Sequence, residues 1–135
     1  MPTLEIKATV ENLDIVKDFL DEQFAQTGCS RKTFMQIEIS VEEIFVNISH
    51  YAYAPDTGMA CIAVDISDGK ALITFEDSGI PYDPLARPDP DITLSAEDRD
   101  IGGLGIFMVK KSMDDVRYEY RDGKNILTLV KELAP

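Results

Sequence analysis

The stretch ACIAVDISDGKALITFED, residues 60–77, decides the fold of this chain. Two strand-like runs, near Ala60 to Ser67 and Ala71 to Asp77, flank the dipeptide Asp68-Gly69. Asp-Gly between two such runs is a strong hairpin signal, because a tight turn needs residues that tolerate a positive φ. We therefore predict an antiparallel pair of strands in the middle of the chain.

A second hairpin is predicted close to the carboxyl terminus. Two further strand-like runs, Val116 to Tyr120 and Asn125 to Lys131, are joined by Asp122-Gly123. Residues Leu4 to Val10 alternate loosely and are read as a first strand. Because hairpins require antiparallel pairing, we expect a mixed but mostly antiparallel sheet.

Three segments show the residue spacing of helices. The first runs from Asn12 to Gln26, with Asn12 as a candidate N-cap; the second begins after Ser30, another candidate cap, and continues to about Tyr53. The third follows Gly102-Gly103. The repeating positions are Leu13, Val16, Phe19, Leu20 and Phe24 in the first helix, Phe34, Ile37, Val41, Ile44, Phe45 and Ile48 in the second, and Leu104, Phe107, Met108 and Lys111 in the third.

Between the two hairpins lies a segment without helix or strand signals. Residues Ile80 to Ile101 hold four of the seven prolines and many aspartates. A loop of about 20 residues is uncommon inside a compact domain and is often functional, so we interpret it as a lid, with a solvated connection as the alternative. The element order predicts one α+β domain over residues 1–135, a two-layer α/β sandwich with the helices on one face of the sheet and a lid at about 80–101.

The composition limits which binding partners and which cellular compartment we expect for this chain. Thirteen basic and 25 acidic residues give a net charge of −12, which argues against nucleic acid. No run is long and apolar enough for a membrane span, and the first ten residues do not resemble a signal peptide. Cys29 and Cys61 do not make a disulfide framework, so we expect both to be structural in a reduced, cytoplasmic protein.

Glu43 and Asn47 form the first candidate functional pair. At positions i and i+4 of the second helix they project from the same side. An asparagine oxygen suits Mg²⁺, and a carboxylate one turn away could accept a proton during phosphoryl transfer. A solvated helix face explains the same spacing.

Asp77-Ser78-Gly79 is the second candidate, at the end of a predicted strand. A carboxylate there can accept a hydrogen bond from an exocyclic amine such as that of adenine, and Gly79 would let a flat ring approach the backbone. An ordinary turn is the alternative reading, because all three residues favour turns.

Gly102-Gly103-Leu104-Gly105 is the third candidate, immediately before a helix. Backbone without side chains can approach phosphates, and the first N–H groups of a helix favour an anion. A hinge is the alternative. The segment is not a Walker loop, because no Gly-Lys-Ser/Thr follows, and it lacks the βαβ context of a Rossmann fingerprint.

Taken in order, these three segments resemble the N, G1 and G2 boxes of the GHKL superfamily of histidine-kinase-like ATPases. The matching stretches are EEIFVN at 42–47, DSGIPYDP at 77–84 and GGLGIFMV at 102–109. The segments MDDV at 113–116 and NILTLV at 125–130 resemble the anti-sigma-factor serine/threonine kinase branch. The similarity runs from about Leu4 to Leu133 and implies the Bergerat-type ATP-binding fold.

The resemblance implies roles for individual residues. Asn47 would ligate Mg²⁺ and Glu43 would be the catalytic base. The residues that would contact ATP are Asp77, Gly79 and Thr128 at adenine, and Arg99, Gly103, Leu104 and Gly105 at the phosphates. Many relatives carry a histidine four residues after this asparagine, where the present chain has Tyr51, and His50 lies one position earlier.

Two functions follow from the resemblance and stay open on the sequence. In the first, the chain is a kinase that transfers the γ-phosphate of ATP to a serine of an anti-sigma-factor antagonist. In the second, it is a non-catalytic, nucleotide-gated module that sequesters a sigma factor or a pathway regulator. Relatives often dimerise, so a homodimer is expected as well. Autophosphorylation on histidine in cis is not expected, because the one histidine, His50, lies in the N box.

Overall fold

The computed structural model describes residues 1–86 and 103–133. The sheet strands are β1 (Thr3–Lys7), β2 (Met59–Ser67), β3 (Lys70–Asp77), β4 (Asp115–Arg121) and β5 (Lys124–Glu132). The helices are α1 (Leu13–Phe24), α2 (Arg31–Tyr51) and α3 (Gly103–Ser112). Short 3₁₀ turns occur at Val10–Asn12 and Pro84–Ala86.

The five strands form one sheet in the order β1-β2-β3-β5-β4, and each neighbouring pair is antiparallel. The predicted α+β class and antiparallel hairpins are therefore confirmed, while no parallel pair occurs among the described strands. Asp68 and Gly69 adopt φ values of 51° and 74°, and Asp122 and Gly123 adopt 54° and 77°. These positive values at both central residues are what a two-residue primed turn requires.

One face of the sheet packs against the helices. Along β2 the buried residues alternate with more exposed ones, and β3 and β5 show the same alternation. The core lies between this face and the helices. Its largest fully buried side chains are Phe45, Phe75, Leu20, Ile37, Ile62, Ile73 and Leu129.

Helix α2 matches the sequence prediction closely. Ser30 Oγ accepts a hydrogen bond from the backbone N–H of Thr33 at 3.1 Å, which satisfies one of the free donors of the first turn. The helix ends at Tyr51, two residues before the predicted end. Tyr53 lies beyond it, where its hydroxyl donates to the carbonyl of Met59 and accepts from the N–H of Ser78.

Two local predictions near the start of the chain were wrong. Strand β1 ends at Lys7 rather than Val10, because Val10–Asn12 form a 3₁₀ turn that leads into α1. The Asn12 side chain does not cap α1, since its amide donates to the carbonyl of Lys7. The helix predicted after Gly102-Gly103 is present as α3. In it Met108 is 51 % exposed and Ile106 and Val109 are buried, as is Met113 just after the end of the helix.

Among the described residues, no helix is long and apolar enough to cross a membrane. Cys29 and Cys61 are both free and partly buried. Burial, reinforced by the nearby carboxylates of Glu76 and Glu5, raises the pKa of the Cys61 thiol, which therefore stays protonated at neutral pH.

Candidate functional site

A pocket lies between the carboxyl-terminal half of α2 and the adjoining end of the sheet. It contains about 430 Å³ of space free of protein atoms, part of it open to solvent. Apolar side chains line most of it, and a few polar groups converge on it, as in many small-molecule sites. Its lining residues are Ile44, Asn47, Ile48, Tyr51, Ala52, Phe75, Asp77, Tyr82, Pro84, Tyr118, Asn125 and Leu127.

Asp77, the last residue of β3, lies in this pocket and is only 7 % exposed. Its Oδ1 accepts two hydrogen bonds at 2.9 Å, one from the N–H of Gly79 and one from Nδ2 of Asn125. Among the described residues no donor bonds to Oδ2, so this oxygen can accept a hydrogen bond from a ligand. A buried carboxylate with a free acceptor oxygen suits an exocyclic amine.

Gly79 lies where the chain leaving β3 meets the end of α2. A Cβ atom on Gly79 would overlap the backbone carbonyl of Ala52, just after α2. The next residue, Ile80, donates its N–H to that same carbonyl at 2.9 Å. Glycine is therefore needed here because the chain leaving β3 passes directly against the end of α2, which forms one wall of the pocket.

Asn47 and Glu43 lie together on α2, and Asn47 also lines the pocket. Nδ2 of Asn47 donates to the backbone carbonyl of Glu43 at 3.1 Å and lies 3.5 Å from its Oε1. This contact fixes the amide so that its nitrogen points back along the helix. Asn47 Oδ1 has no partner among the described residues and remains available as a hard oxygen ligand.

The carboxylate of Glu43 lies against the first turn of α3. A Cβ atom on Gly105 would overlap Glu43 Oε1 and its carboxyl carbon, so any other residue at this position would require the carboxylate to shift. The first N–H groups of a helix favour negative charge. The structure thus joins the first and third predicted segments through a direct contact between Glu43 and Gly105.

Two further polar residues of the pocket, Asn125 and Tyr118, did not emerge from the sequence. Asn125 is the second residue of β5, where it pairs with Asp77, and it is 6 % exposed. Its Oδ1 accepts from the N–H of Tyr82 at 3.1 Å and from the hydroxyl of Tyr118. Burial raises the pKa of Tyr118, so this hydroxyl remains a neutral donor. The predicted hairpins did offer a signal for Asn125. In an antiparallel sheet, the start of one strand can lie beside the end of another, as the start of β5 lies beside the end of β3.

Thr128 does not join this group. Along β5, Asn125, Leu127 and Leu129 are buried, whereas Thr128 lies on the opposite face of the sheet beside Arg117 and Glu119. The two-residue period of a strand places Thr128 away from Leu127 and Leu129. That alternation was readable in the sequence, and it separates Thr128 from the pocket.

The remaining predicted residues lie at or beyond the edge of the described chain. Arg99, residues 87–101 of the proposed lid and Gly102 are outside the described residues. Gly103 and Leu104 open α3, next to the turn that contacts Glu43. At the start of the proposed lid, Asp83 Oδ1 accepts a hydrogen bond from the N–H of Leu85 at 2.8 Å, which supports the 3₁₀ turn, and Pro84 lines the pocket.

Two aromatic side chains that line the pocket, Tyr51 and Tyr82, pack against each other. The rings of Tyr51 and Tyr82 stack with centroids 5.7 Å apart and an interplanar angle of 26°. His50 is exposed and meets Tyr51 edge-on at 6.1 Å. Tyr51, rather than His50, therefore contributes to the pocket wall.

The donor set fits a magnesium ion held jointly with a phosphate. Among the described residues no group of three or more histidine, cysteine, aspartate or glutamate side chains could hold a metal. Mg²⁺ commonly takes one or two protein oxygens together with substrate phosphates and waters. The Oδ1 of Asn47, which has no partner among the described residues, meets that requirement.

The chain belongs to the family of histidine kinase-like ATPase domains, whose model matches residues 6–131. The serine-protein kinase RsbW of Listeria monocytogenes is 26 % identical over 130 residues, which cover 93 % of this chain and 83 % of that protein. The serine/threonine-protein kinase BtrW of Bordetella bronchiseptica is 25 % identical over 134 residues, which cover 98 % and 94 %.

Solved structures share the fold. The RsbU and RsbW domains of Rv1364c from Mycobacterium tuberculosis align with a TM-score of 0.65 at 20 % identity, covering 100 % of this chain and 34 % of that one. This chain therefore spans about a third of that protein. The histidine kinase domain of a blue-light activated kinase from Erythrobacter litoralis aligns with a TM-score of 0.55 at 14 % identity, over 92 % and 60 % of the two chains.

Proposed function

We propose that this chain is a protein serine/threonine kinase that binds ATP and Mg²⁺ and transfers the γ-phosphate to a serine of an anti-sigma-factor antagonist. The main support for the proposal is that Asp77 and Asn47 line the same pocket. Glu43 lies one turn from Asn47 and against the start of α3. The names of two relatives, a serine-protein kinase and a serine/threonine-protein kinase, support the same activity.

Each residue has a chemical task in this proposal. Asp77 accepts a hydrogen bond from the exocyclic amine of adenine, while Ile44, Ile48 and Leu127 supply apolar surface for the ring. Asn47 Oδ1 binds Mg²⁺, which would neutralise charge on the transferred phosphate. Glu43 accepts the proton of the attacking serine hydroxyl, and its place beside Asn47 keeps it near the phosphate end of the nucleotide.

The phosphates would lie at the start of α3. Backbone N–H groups at a helix start favour anions, and Gly103, Leu104 and Gly105 open this helix. Arg99 would add positive charge from the lid. Gly79 enters the proposal as a backbone residue that shapes the pocket wall, and Thr128 is left out because it faces the other side of the sheet.

The Glu43→Gln variant tests the kinase function. Glutamine keeps the shape of the side chain but cannot accept the proton, so ATP affinity should persist while phosphoryl transfer falls by at least about 10²-fold. The assay incubates the chain with labelled ATP, Mg²⁺ and an isolated antagonist protein from the same organism. The control is Glu42→Gln, which alters the neighbouring carboxylate that pairs with Lys17. Transfer by Glu43→Gln at the wild-type rate would exclude Glu43 as the base.

A non-catalytic function is the second candidate. In it, ATP orders the lid and the chain sequesters a sigma factor or a pathway regulator. The half-buried Glu43 that contacts Gly105 is compatible with a purely structural acid, which is the observation that favours this candidate. ATP-dependent binding of an isolated sigma factor without label transfer to any serine would support it over the kinase.

The partners that we propose are an anti-sigma-factor antagonist, a sigma factor, or both, and a second copy of the chain. The net charge of −12 is compatible with a basic protein surface and opposes nucleic acid. Cytoplasmic location is part of the same proposal, since a reduced compartment suits the two free cysteines.

A further inference from the structure

Asn125 connects three parts of the pocket through its side-chain amide. Nδ2 donates to Asp77 Oδ1 at 2.9 Å and to the carbonyl of Ile80 at 2.8 Å. Oδ1 accepts from the N–H of Tyr82 at 3.1 Å and from the hydroxyl of Tyr118. One amide thus joins the end of β3, strand β4 and the chain that leaves β3.

The orientation of this amide is fixed by its neighbours. On one side stand a carboxylate oxygen and a carbonyl oxygen, which only accept, so the nitrogen must face them. On the other side a backbone N–H donates, so the oxygen must face it. Both N–H groups and both acceptor positions of Asn125 are then occupied, and the residue has no hydrogen bond left for a ligand.

The fixed amide of Asn125 restricts the orientation of the Asp77 carboxylate. Its Oδ1 already accepts from Gly79 and Asn125, so the carboxylate cannot rotate without breaking two hydrogen bonds in a buried site. Oδ2 is left as the acceptor that faces a ligand. We propose that Asn125 is the positioning residue of the base-binding site, which holds Asp77 so that one carboxylate oxygen selects a purine carrying an exocyclic amine. This inference rests on the proposed binding of ATP.

Selectivity between two nucleotides tests the inference. ATP carries an amine where inosine triphosphate carries a carbonyl oxygen, so a fixed Asp77 Oδ2 attracts the first and repels the second. In Asn125→Ala the carboxylate loses its anchor, and the ratio of the two affinities should fall roughly tenfold, mainly through weaker ATP binding. The measurement is calorimetric titration of both nucleotides in the presence of Mg²⁺.

A charged variant supplies a readout that general damage to the fold would not produce. Asn125→Asp places a second carboxylate beside Asp77, and two carboxylates that close cannot both stay ionised, so the pKa of one is raised. ATP affinity relative to wild type should be lost at neutral pH and should recover as the pH falls, because the shared proton restores a donor between the two side chains. Tyr118→Phe removes one hydrogen-bond donor to Asn125. We expect it to lower the ratio of ATP affinity to inosine triphosphate affinity, but by less than Asn125→Ala does.

Thr128→Ala is the matched control, because Thr128 lies on the same strand but on the opposite face. It should leave both affinities unchanged, and thermal unfolding checks that each variant is folded. An unchanged ratio of ATP to inosine triphosphate affinity in Asn125→Ala, or pH-independent binding in Asn125→Asp, would overturn the inference while leaving ATP binding intact. If the wild-type chain binds neither nucleotide, the proposed function fails and this inference fails with it.

Discussion

At the scale of single residues, Gly79 and Gly105 leave room for different neighbours. Gly79 lets two backbone segments pass close together, and Gly105 leaves room for the side chain of Glu43. A Cβ atom on Gly79 would overlap the backbone of Ala52, whereas one on Gly105 would overlap the end of the Glu43 side chain. Backbone cannot move without disturbing its hydrogen bonds, but a long side chain can turn away. The two glycines should therefore respond differently to the same substitution.

We expect Gly79→Ala to lower the free energy of unfolding by about 1–3 kcal/mol, because the chain leaving β3 must move away from Ala52. Gly105→Ala should change it by no more than about 1 kcal/mol, since alanine favours the helix and Glu43 can shift. Urea unfolding of both variants measures the difference. Equal loss of stability in the two variants would contradict the contacts described.

The second expectation for Gly105→Ala concerns activity. Moving the Glu43 carboxylate away from the start of α3 should impair phosphoryl transfer more than ATP binding, if Glu43 is the base. A transfer assay together with an ATP titration separates the two effects. Transfer at the wild-type rate in a variant whose Glu43 has been displaced would argue that the carboxylate is structural.

At the scale of elements, helix capping gives a direct comparison between α1 and α2. Ser30 caps α2 through the N–H of Thr33, while Asn12 precedes α1 without capping it. We expect Ser30→Ala to reduce the free energy of unfolding by about 1 kcal/mol and Asn12→Ala to reduce it by less. Chemical denaturation of the two variants provides the measurement, and a larger loss in Asn12→Ala would contradict the assignment.

Elements defined by local signals were the ones that the sequence predicted well. Both Asp-Gly turns and the Ser30 cap depend on neighbouring residues only, and the structure confirms them. The pairing of β3 with β5 and the buried face of α3 depend on distant segments, so local periodicity could not supply them. Met108 illustrates this limit, because its spacing suited a helix face but tertiary packing buried Ile106 and Val109 instead.

The residues of the candidate site also fall into those that short sequence segments could predict and those that depend on distant segments. Glu43, Asn47 and Asp77 were recognisable because their short segments occur in a characteristic order. Asn125 was missed because its partners, Asp77 and the N–H of Tyr82, lie more than 40 residues away along the chain. Thr128, which the resemblance implied as a second adenine contact, lies on the far face of the sheet because side chains alternate along the strand.

At the scale of the whole molecule, net charge should govern the response to salt. The net charge of −12 makes the folded chain repel itself. The ion pairs among the described residues, such as Lys17 with Glu42 and Arg117 with Asp115, are partly exposed to solvent and contribute little. We expect the midpoint of thermal unfolding to rise as sodium chloride is added, because salt screens the repulsion. A midpoint that falls with salt would mean that the exposed ion pairs outweigh it.

The central claim is that the pocket between α2 and the sheet binds an adenine nucleotide together with Mg²⁺. Calorimetric titration of the intact chain with ATP, with and without Mg²⁺ and beside GTP, tests it most directly. We predict Mg²⁺-dependent binding of ATP in preference to GTP, loss of the Mg²⁺ dependence in Asn47→Ala, and much weaker ATP binding in Asp77→Asn. Absence of binding at millimolar ATP, or unchanged ATP affinity in both variants, would contradict the account.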